Sequence, residues 1–261
     1  MKKRRVCLTT EVHRPAFDDF ADAMRVAESK EGWRSSEVLR NFLDAAFLAV
    51  RGALIVGEAK DKNEADYMAI VASCRHPSET MGALSRMMGA TAMALAVEPV
   101  DFVGPVFSEL SADAGMGQFF TPHHLSYFMA KLIVGDDPMR LVGEKGFVSL
   151  AEPACGVGGM ILATNVVLRE AGLDVARQAH WTAIDVDSRA HRACYLQLAM
   201  TDCSADVYRG NALGPPENLV GDRTPAACFF PKKVPPGQIP KDQPPPPPPP
   251  APEGPAQLTM F

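Results

Sequence analysis

Long apolar runs are missing from this 261-residue sequence, and with them any segment able to cross a bilayer as a helix. The opening "MKKRRVCLTTEVHR" is basic, but no apolar core of a secretory leader follows it, so a cytoplasmic protein is expected. Paired cysteines are missing too. Cys7, Cys74, Cys155, Cys194, Cys203 and Cys228 lie far apart with no CxxC among them, which suits reduced thiols and points to neither a zinc site nor a disulfide frame. A basic surplus is also absent: 26 Lys and Arg against 31 Asp and Glu leave a net charge of -5. Any contact with nucleic acid must therefore come from a local patch or from a helper. What the chain does have is apolar content, 47% of residues, ample for the core of one large domain or two small ones.

That content sorts into regions. Residues 1–120 form an expected helical N-terminal domain, rich in Ala, Met, Leu and Glu. In "SSEVLRNFLDAAFLAVRGAL", Val38, Leu39, Phe42, Leu43, Phe47 and Val50 recur on one helical face, and Ser35 or Ser36 stands ready as a cap. "EADYMAIVASC" and "SETMGALSRMMGATAMALAV" repeat the pattern, the second after Ser78 as a cap, with Met81, Met87, Met88 and Met93 expected in the core. Residues 121–224 alternate helix and strand. Thr121 and Pro122 mark a helix start that should bury Leu125, Phe128, Met129, Leu132 and Ile133. Strands are expected at Phe147–Ala151, His180–Asp187 and Asp206–Leu213, with helices between them. This βαβαβ order predicts an α/β fold with a parallel, right-handed, doubly wound sheet. Residues 225–256 are expected to be a disordered Pro-rich linker. Pro supplies 14 of the last 37 residues, seven of them in a row at Pro244–Pro250, so the segment should extend as polyproline II and act as a spacer.

Between the first strand and its helix runs "EPACGVGGMI", Glu152 to Ile161. Glycines in such a turn let backbone approach a ligand, and the N–H groups of the following helix start point at it. The spacing differs from the G-x-G-x-x-G of dinucleotide folds. An acid ending the first strand, Glu152, suits a ligand bearing an ammonium group rather than a pyrophosphate. Asp185, ending the second strand, stands where an acid grips ribose hydroxyls. Asn211, after the third, stands where a polar side chain reads an adenine edge. Together these point to S-adenosylmethionine; the plain alternative is a strand-turn-helix with structural glycines.

From about Asp101 to Leu213 the chain resembles the adenine-N6 DNA methyltransferases of the type I restriction-modification kind. "DFVGPVFSEL…GMGQFFTPHHL" resembles that family's lead-in, "EPACGVGG" its first cofactor motif, "AIDVD" its ribose motif and "GNAL" its adenine motif. The resemblance implies a Rossmann-like, S-adenosylmethionine-dependent methyltransferase sheet, incomplete here, preceded by the helical N-terminal domain. It implies that Phe120, Thr121 and Pro122 line the methionine end of the cofactor. Glu152, with Pro153, Cys155, Gly156 and Gly158 of the turn, would hold the amino group, Asp185 the ribose and Asn211 the adenine. It implies methyl transfer to adenine in DNA, with DNA as partner.

Enzymes of this family act on a base flipped out of the duplex, through an N/D-P-P-Y/F tetrapeptide after the fourth strand. That tetrapeptide does not occur in this chain. "GPPE", Gly214 to Glu217, has only the two prolines. "TPAACFFP", Thr224 to Pro231, is the apolar stretch left for a fourth strand, and offers Phe229 and Phe230 for stacking. Catalytic residues are thus left unassigned. A separate specificity or catalytic subunit would complete an enzyme, and a catalytically inactive, DNA-associated accessory protein is the alternative. His123 and His124 have no third ligand at metal spacing, so no metal site is expected. The terminal "QLTMF" resembles the Q-L-x-[LM]-F motif by which bacterial polymerases and repair proteins dock on the replication sliding clamp. Leu258, Met260 and Phe261 would be apolar anchors and Gln257 would fix the register. Such a tail supplies DNA proximity through effective concentration.

Overall fold

The computed structural model describes residues 11–110, 121–143 and 146–230. Phe120 and the tail residues Gln257, Leu258, Met260 and Phe261 lie outside the described residues, as does the Pro-rich stretch from Pro231 onward.

Helices α1 (Arg14–Glu31), α2 (Ser35–Gly52), α3 (Glu58–Ser73), α4 (Pro77–Val97) and α5 (Val103–Leu110) open the described chain. α1 ends where Gly32 turns left-handed, φ 72°, and returns its N–H to Glu28 O, a conformation that costs glycine no Cβ strain. α2 starts at Ser35, with Glu37 accepting from Arg34 N at 2.9 Å. Its expected stripe is inside: Val38, Leu39, Phe42, Leu43 and Phe47 are all buried. The start of α4 is tied down by a distant carboxylate rather than by Ser78. Glu31, at the end of α1, accepts from Arg75 N (2.7 Å), from His76 N (2.9 Å) and from the Thr80 hydroxyl. Of the four methionines expected inside, Met87 is buried and Met93 is on the surface, with Met81 and Met88 half-buried against the core.

The sheet has the order β1-β2-β3-β4. β1 (Val148–Glu152), β2 (Ala179–Asp185) and β3 (Ala205–Arg209) are parallel, and β4 (Val220–Arg223) runs antiparallel to β3. Before β1 come α6 (His123–Val134) and the short α7 (Met139–Val142). α8 (Gly159–Glu170) and α9 (Val175–Gln178) connect β1 to β2, and α10 (Ser188–Met200) connects β2 to β3. Among the described residues the parallel strands succeed one another in a single direction, so the doubly wound arrangement is not seen there.

The fourth strand also differs from expectation. After β3 the chain reverses through Asn211–Gly214, where Gly214 N bonds Asn211 O at 2.9 Å, and a 3-10 turn at Pro216–Asn218, then returns along β3 as "VGDR". Of the Thr224–Pro231 stretch, the described residues Thr224–Phe230 form no strand: Pro225 opens helix α11 (Pro225–Phe229). Proline has no N–H for a ladder but is at home in a first helical turn. Ala226 and Ala227 of α11 are buried, so the folded body runs into the stretch expected to be linker.

α6 is turned the other way from expectation. Leu125, Phe128, Met129, Leu132 and Ile133 are 40–68% exposed, while Ser126, Ala130 and Val134 are buried. α6 packs against α8 through that stripe of small residues, which lets two helices approach closely. The helix starts at His123 after Pro122, with no side-chain cap from Thr121.

The helical N-terminal part is not walled off from the sheet. Val157, Ala193 and Leu196, from the cofactor-type turn and α10, belong to the same buried cluster as Phe20, Phe42, Met87 and Phe102. Phe47 of α2 meets the rings of His191 and Tyr195 of α10 at 5.6 and 5.0 Å. Arg51 Nε donates to Asp222 Oδ1 at 2.5 Å, and Arg192 pairs with Asp44. No described helix is long and apolar enough to cross a membrane.

Candidate cofactor site

The site forms where β1 and β2 end. β1 delivers Glu152, and the chain then turns through Gly156 and Gly158, both left-handed at φ 53° and 95°, into α8. At Gly158 a side chain is disfavoured twice, by the left-handed backbone and by a Cβ that would stand a tight 3.2 Å from Cys194 Sγ. The turn hangs from the end of β2: Cys155 N bonds Ile184 O at 2.9 Å, and Gly156 N donates to Asp185 Oδ2 at 2.8 Å. Asp185 Oδ1 accepts from Asp187 N at 2.9 Å. A carboxylate that accepts a backbone N–H at each oxygen still has lone pairs for a ligand.

Above this turn lies a cavity of about 480 Å³, within the roughly 300–1,000 Å³ usual for small-molecule sites. Of the expected site residues, Thr121, Glu152, Cys155, Gly156 and Asp185 line it. Pro122, Pro153 and Gly158 shape the flanking chain without lining the cavity. Asn211 is exposed and also does not line it; its Oδ1 accepts from Leu213 N at 3.0 Å, closing the turn after β3. The Cys194 thiol, hydrogen-bonded to Cys155 and buried, is pushed well above the usual thiol range. It stays protonated, in keeping with a packing role for Cys194.

Two polar lining residues, Asp101 and Ser126, carry no local sequence signal as site residues. Asp101, just before α5, reaches the cavity wall from far along the chain, and Ser126 of α6 faces the same space. Burial pushes the Asp101 carboxyl above the ordinary carboxylate range, opposed by hydrogen bonds from Gly104 N and Gln197. The "DFVG" spacing signals a helix cap, and Asp101 Oδ1 does accept from Gly104 N at 2.9 Å, but nothing local in sequence announces the cavity. The cavity is thus strongly acidic. Asp101, Glu152 and Asp185 line it together, and among the described residues no lysine or arginine pairs with any of them.

Phe229 and Phe230 sit elsewhere. α11 packs against α9 and β3, and the Arg177 guanidinium lies 4.2 Å over the Phe230 ring, next to the start of β2. The cavity is at the end of β2, about 20 Å away at the usual rise per strand residue. These rings are not a stacking platform for a base at this site.

Three parallel strands with acids at two consecutive strand ends, and a left-handed glycine turn feeding a helix, give the sheet the α/β arrangement in which ligands bind at the carboxyl ends of the strands. Residues 106–224, a little under half of the chain, match the family model described as N-6 DNA Methylase. Among solved structures the chain is similar to a Listeria monocytogenes protein described as a class I S-adenosylmethionine-dependent methyltransferase. The two share 12% identity with a TM-score of 0.45, over 79% of this chain and 55% of that one. The chain therefore spans little more than half the length of that structure. No curated protein matches it.

Proposed function

We propose that the chain binds S-adenosylmethionine in the cavity at the ends of β1 and β2 and serves methylation of adenine N6 in DNA. The observation that carries this reading is the acidic cavity, hung on the Gly156–Asp185 hydrogen bond and lined mainly by residues of the segment that matches the N-6 DNA Methylase model. The residues fit the ligand's chemistry. S-adenosylmethionine carries a sulfonium and an ammonium against one carboxylate, so a cavity lined by three acids without basic partners is complementary to it. The left-handed glycines allow close approach of backbone, and Asp185 keeps lone pairs for ribose hydroxyls. Bound there, the cofactor supplies an electrophilic methyl group. The chain's own part is to hold and orient it, which is where most of the rate in such transfers originates.

The amine-accepting tetrapeptide is absent from the sequence, and the strand after β3 is an antiparallel edge rather than a further parallel strand ending at the cavity. We therefore assign recognition of the flipped base to a partner subunit, of the kind a restriction-modification system supplies. Gln257–Phe261 would dock on a sliding clamp in the cytoplasm and bring the net-negative domain to DNA. The missing tetrapeptide equally favours a second reading, a catalytically inactive, cofactor-binding accessory tethered by the same tail.

The test is to incubate the purified chain with methyl-labelled S-adenosylmethionine and unmethylated DNA, with and without sliding clamp, and separate the nucleosides. Label in N6-methyladenine supports the enzyme. Cofactor binding without label supports the accessory reading, and clamp retention after deletion of Gln257–Phe261 removes the tail from either.

A further inference from the structure

We infer that Asp101 and Ser126 read the amino-acid end of the bound cofactor, Asp101 accepting from its ammonium group and the Ser126 hydroxyl donating to its carboxylate. The inference rests on the S-adenosylmethionine reading above and adds to the cavity two ligand-binding residues from outside the strand-turn-helix.

The geometry around Asp101 is over-determined. Gln197 of α10 is fully buried, and its Oε1 accepts from Phe102 N (2.9 Å) and Val103 N (3.2 Å). Its Nε2 donates to Asp101 Oδ1 (3.0 Å) and to Val157 O (2.8 Å) in the glycine turn. One amide thus fixes the aspartate, the start of α5 and the cofactor turn relative to one another. Gly104 N donates to the same Oδ1 at 2.9 Å. Oδ2 is different: no described protein donor reaches it. It lies against the first residue of α8, where a Cβ on Gly159 would stand 3.2 Å from it. The glycine makes room for the oxygen, and Asp101 and Gly159 both line the cavity.

A half-buried carboxylate held this rigidly, with neutral donors on one oxygen and no described donor on the other, is better stabilised when a positive group meets it. Ser126 is the complementary case. It is 1% exposed, its hydroxyl has no hydrogen-bond partner, and it lines the same cavity. A buried hydroxyl left unpaired is destabilising by itself. An acceptor-only oxygen and a donor-capable hydroxyl lining one cavity match an α-ammonium and an α-carboxylate on one carbon. Glu152 also lines the cavity; like Asp101 it is half-buried, and its Oε1 accepts from Ala154 N at 3.2 Å. It differs from Asp101 in having no side-chain donor that fixes it to the N-terminal helices.

The test is calorimetric titration of the full chain with two probes. S-adenosylmethionine carries the amino-acid end, whereas 5′-methylthioadenosine keeps the adenosine and sulfur and lacks that end. In Asp101→Asn, whose amide oxygen can still accept from Gly104 N and Gln197, S-adenosylmethionine affinity should fall roughly 10- to 100-fold. In Ser126→Ala it should fall by about 5- to 10-fold. Methylthioadenosine affinity should stay within about twofold in both. Equal weakening of both probes would make Asp101 a scaffold residue and overturn the inference, as would unchanged S-adenosylmethionine affinity. A wild-type chain that binds methylthioadenosine but discriminates nothing at the amino-acid end also overturns it. A wild-type chain that binds neither probe removes the cofactor reading itself, and this inference with it.

Discussion

Replacing Gln197 with leucine should be among the most damaging single changes available to this protein. The side chain is fully buried and joins the N-terminal helices to the cofactor turn through four hydrogen bonds, two accepted and two donated. Leucine has nearly the same volume, so no cavity is opened. Phe102 N, Val103 N and Val157 O lose a partner, however, while Asp101 Oδ1 keeps only Gly104 N. At about 1–3 kcal/mol for each buried group left unsatisfied, with some relaxation, the loss should be about 3–6 kcal/mol. That is a large fraction of the roughly 5–15 kcal/mol that holds a domain together. Urea denaturation followed by circular dichroism measures it, with the slope compared to confirm that the unfolded reference is unchanged. Gln197→Glu separates the two halves of the bridge. Its carboxylate can still accept from Phe102 and Val103, but it faces Asp101 with like charge and cannot donate to Val157 O. It should destabilise as well and should weaken cofactor binding beyond its effect on stability. A Gln197→Leu protein within about 1 kcal/mol of wild type would refute the bridging role.

Ser126→Ala should raise the stability of the cofactor-free protein by about 1 kcal/mol, because it removes a buried hydroxyl without a partner; a loss of stability would mean that the hydroxyl is satisfied. On α6, Leu132→Ser and Ile133→Ser should change stability by less than about 0.5 kcal/mol, whereas Ala130→Leu should cost about 1–3 kcal/mol by overpacking the seam with α8. The opposite ranking in thermal melts would put the large apolar face inside. His191 is buried, which holds its imidazole below the ordinary 6.5 against the opposing charge of Asp222, 3.7 Å away. The unfolded chain therefore takes up this proton more readily, so the contribution is complete above pH 6.5 and is lost as the pH falls below it. Urea midpoints at several pH values should show less acid destabilisation in His191→Gln than in wild type; an identical pH profile would contradict the assignment.

The elements legible in the sequence are those whose signals are local. α10 spans Ser188–Met200, and Asp187 before it accepts from Arg189 N at 2.7 Å, a cap readable from residue types alone. The glycine turn and the acids Glu152 and Asp185 were likewise fixed by short-range order, and they do meet at one cavity. α6 shows where such reading stops. Its sequence is apolar nearly all round, so periodicity cannot tell which face packs, and the small stripe Ser126–Ala130–Val134 won because it fits against α8. β4 carries "VGDR", with no alternation to mark a strand; pairing with β3 makes it one. Asp101 and Gln197 are nearly a hundred positions apart, and only the packing of the N-terminal helices on α10 brings them together. Asn211 follows the third strand as its place in the sequence suggested, but it is exposed, lies outside the cavity lining and accepts from Leu213 N in its own turn.

The most direct test of the central claim is amide hydrogen exchange across the chain with and without S-adenosylmethionine. If the cavity at the ends of β1 and β2 is the cofactor site, saturating ligand should slow exchange at Cys155–Met160 and around Asp185–Asp187, with smaller effects at Phe102–Gly104 through the Gln197 bridge. Protection confined to another part of the fold, such as the cleft beside His123 and Tyr127 between α6 and α8, would contradict the account. So would the absence of any protection at ligand concentrations in the millimolar range.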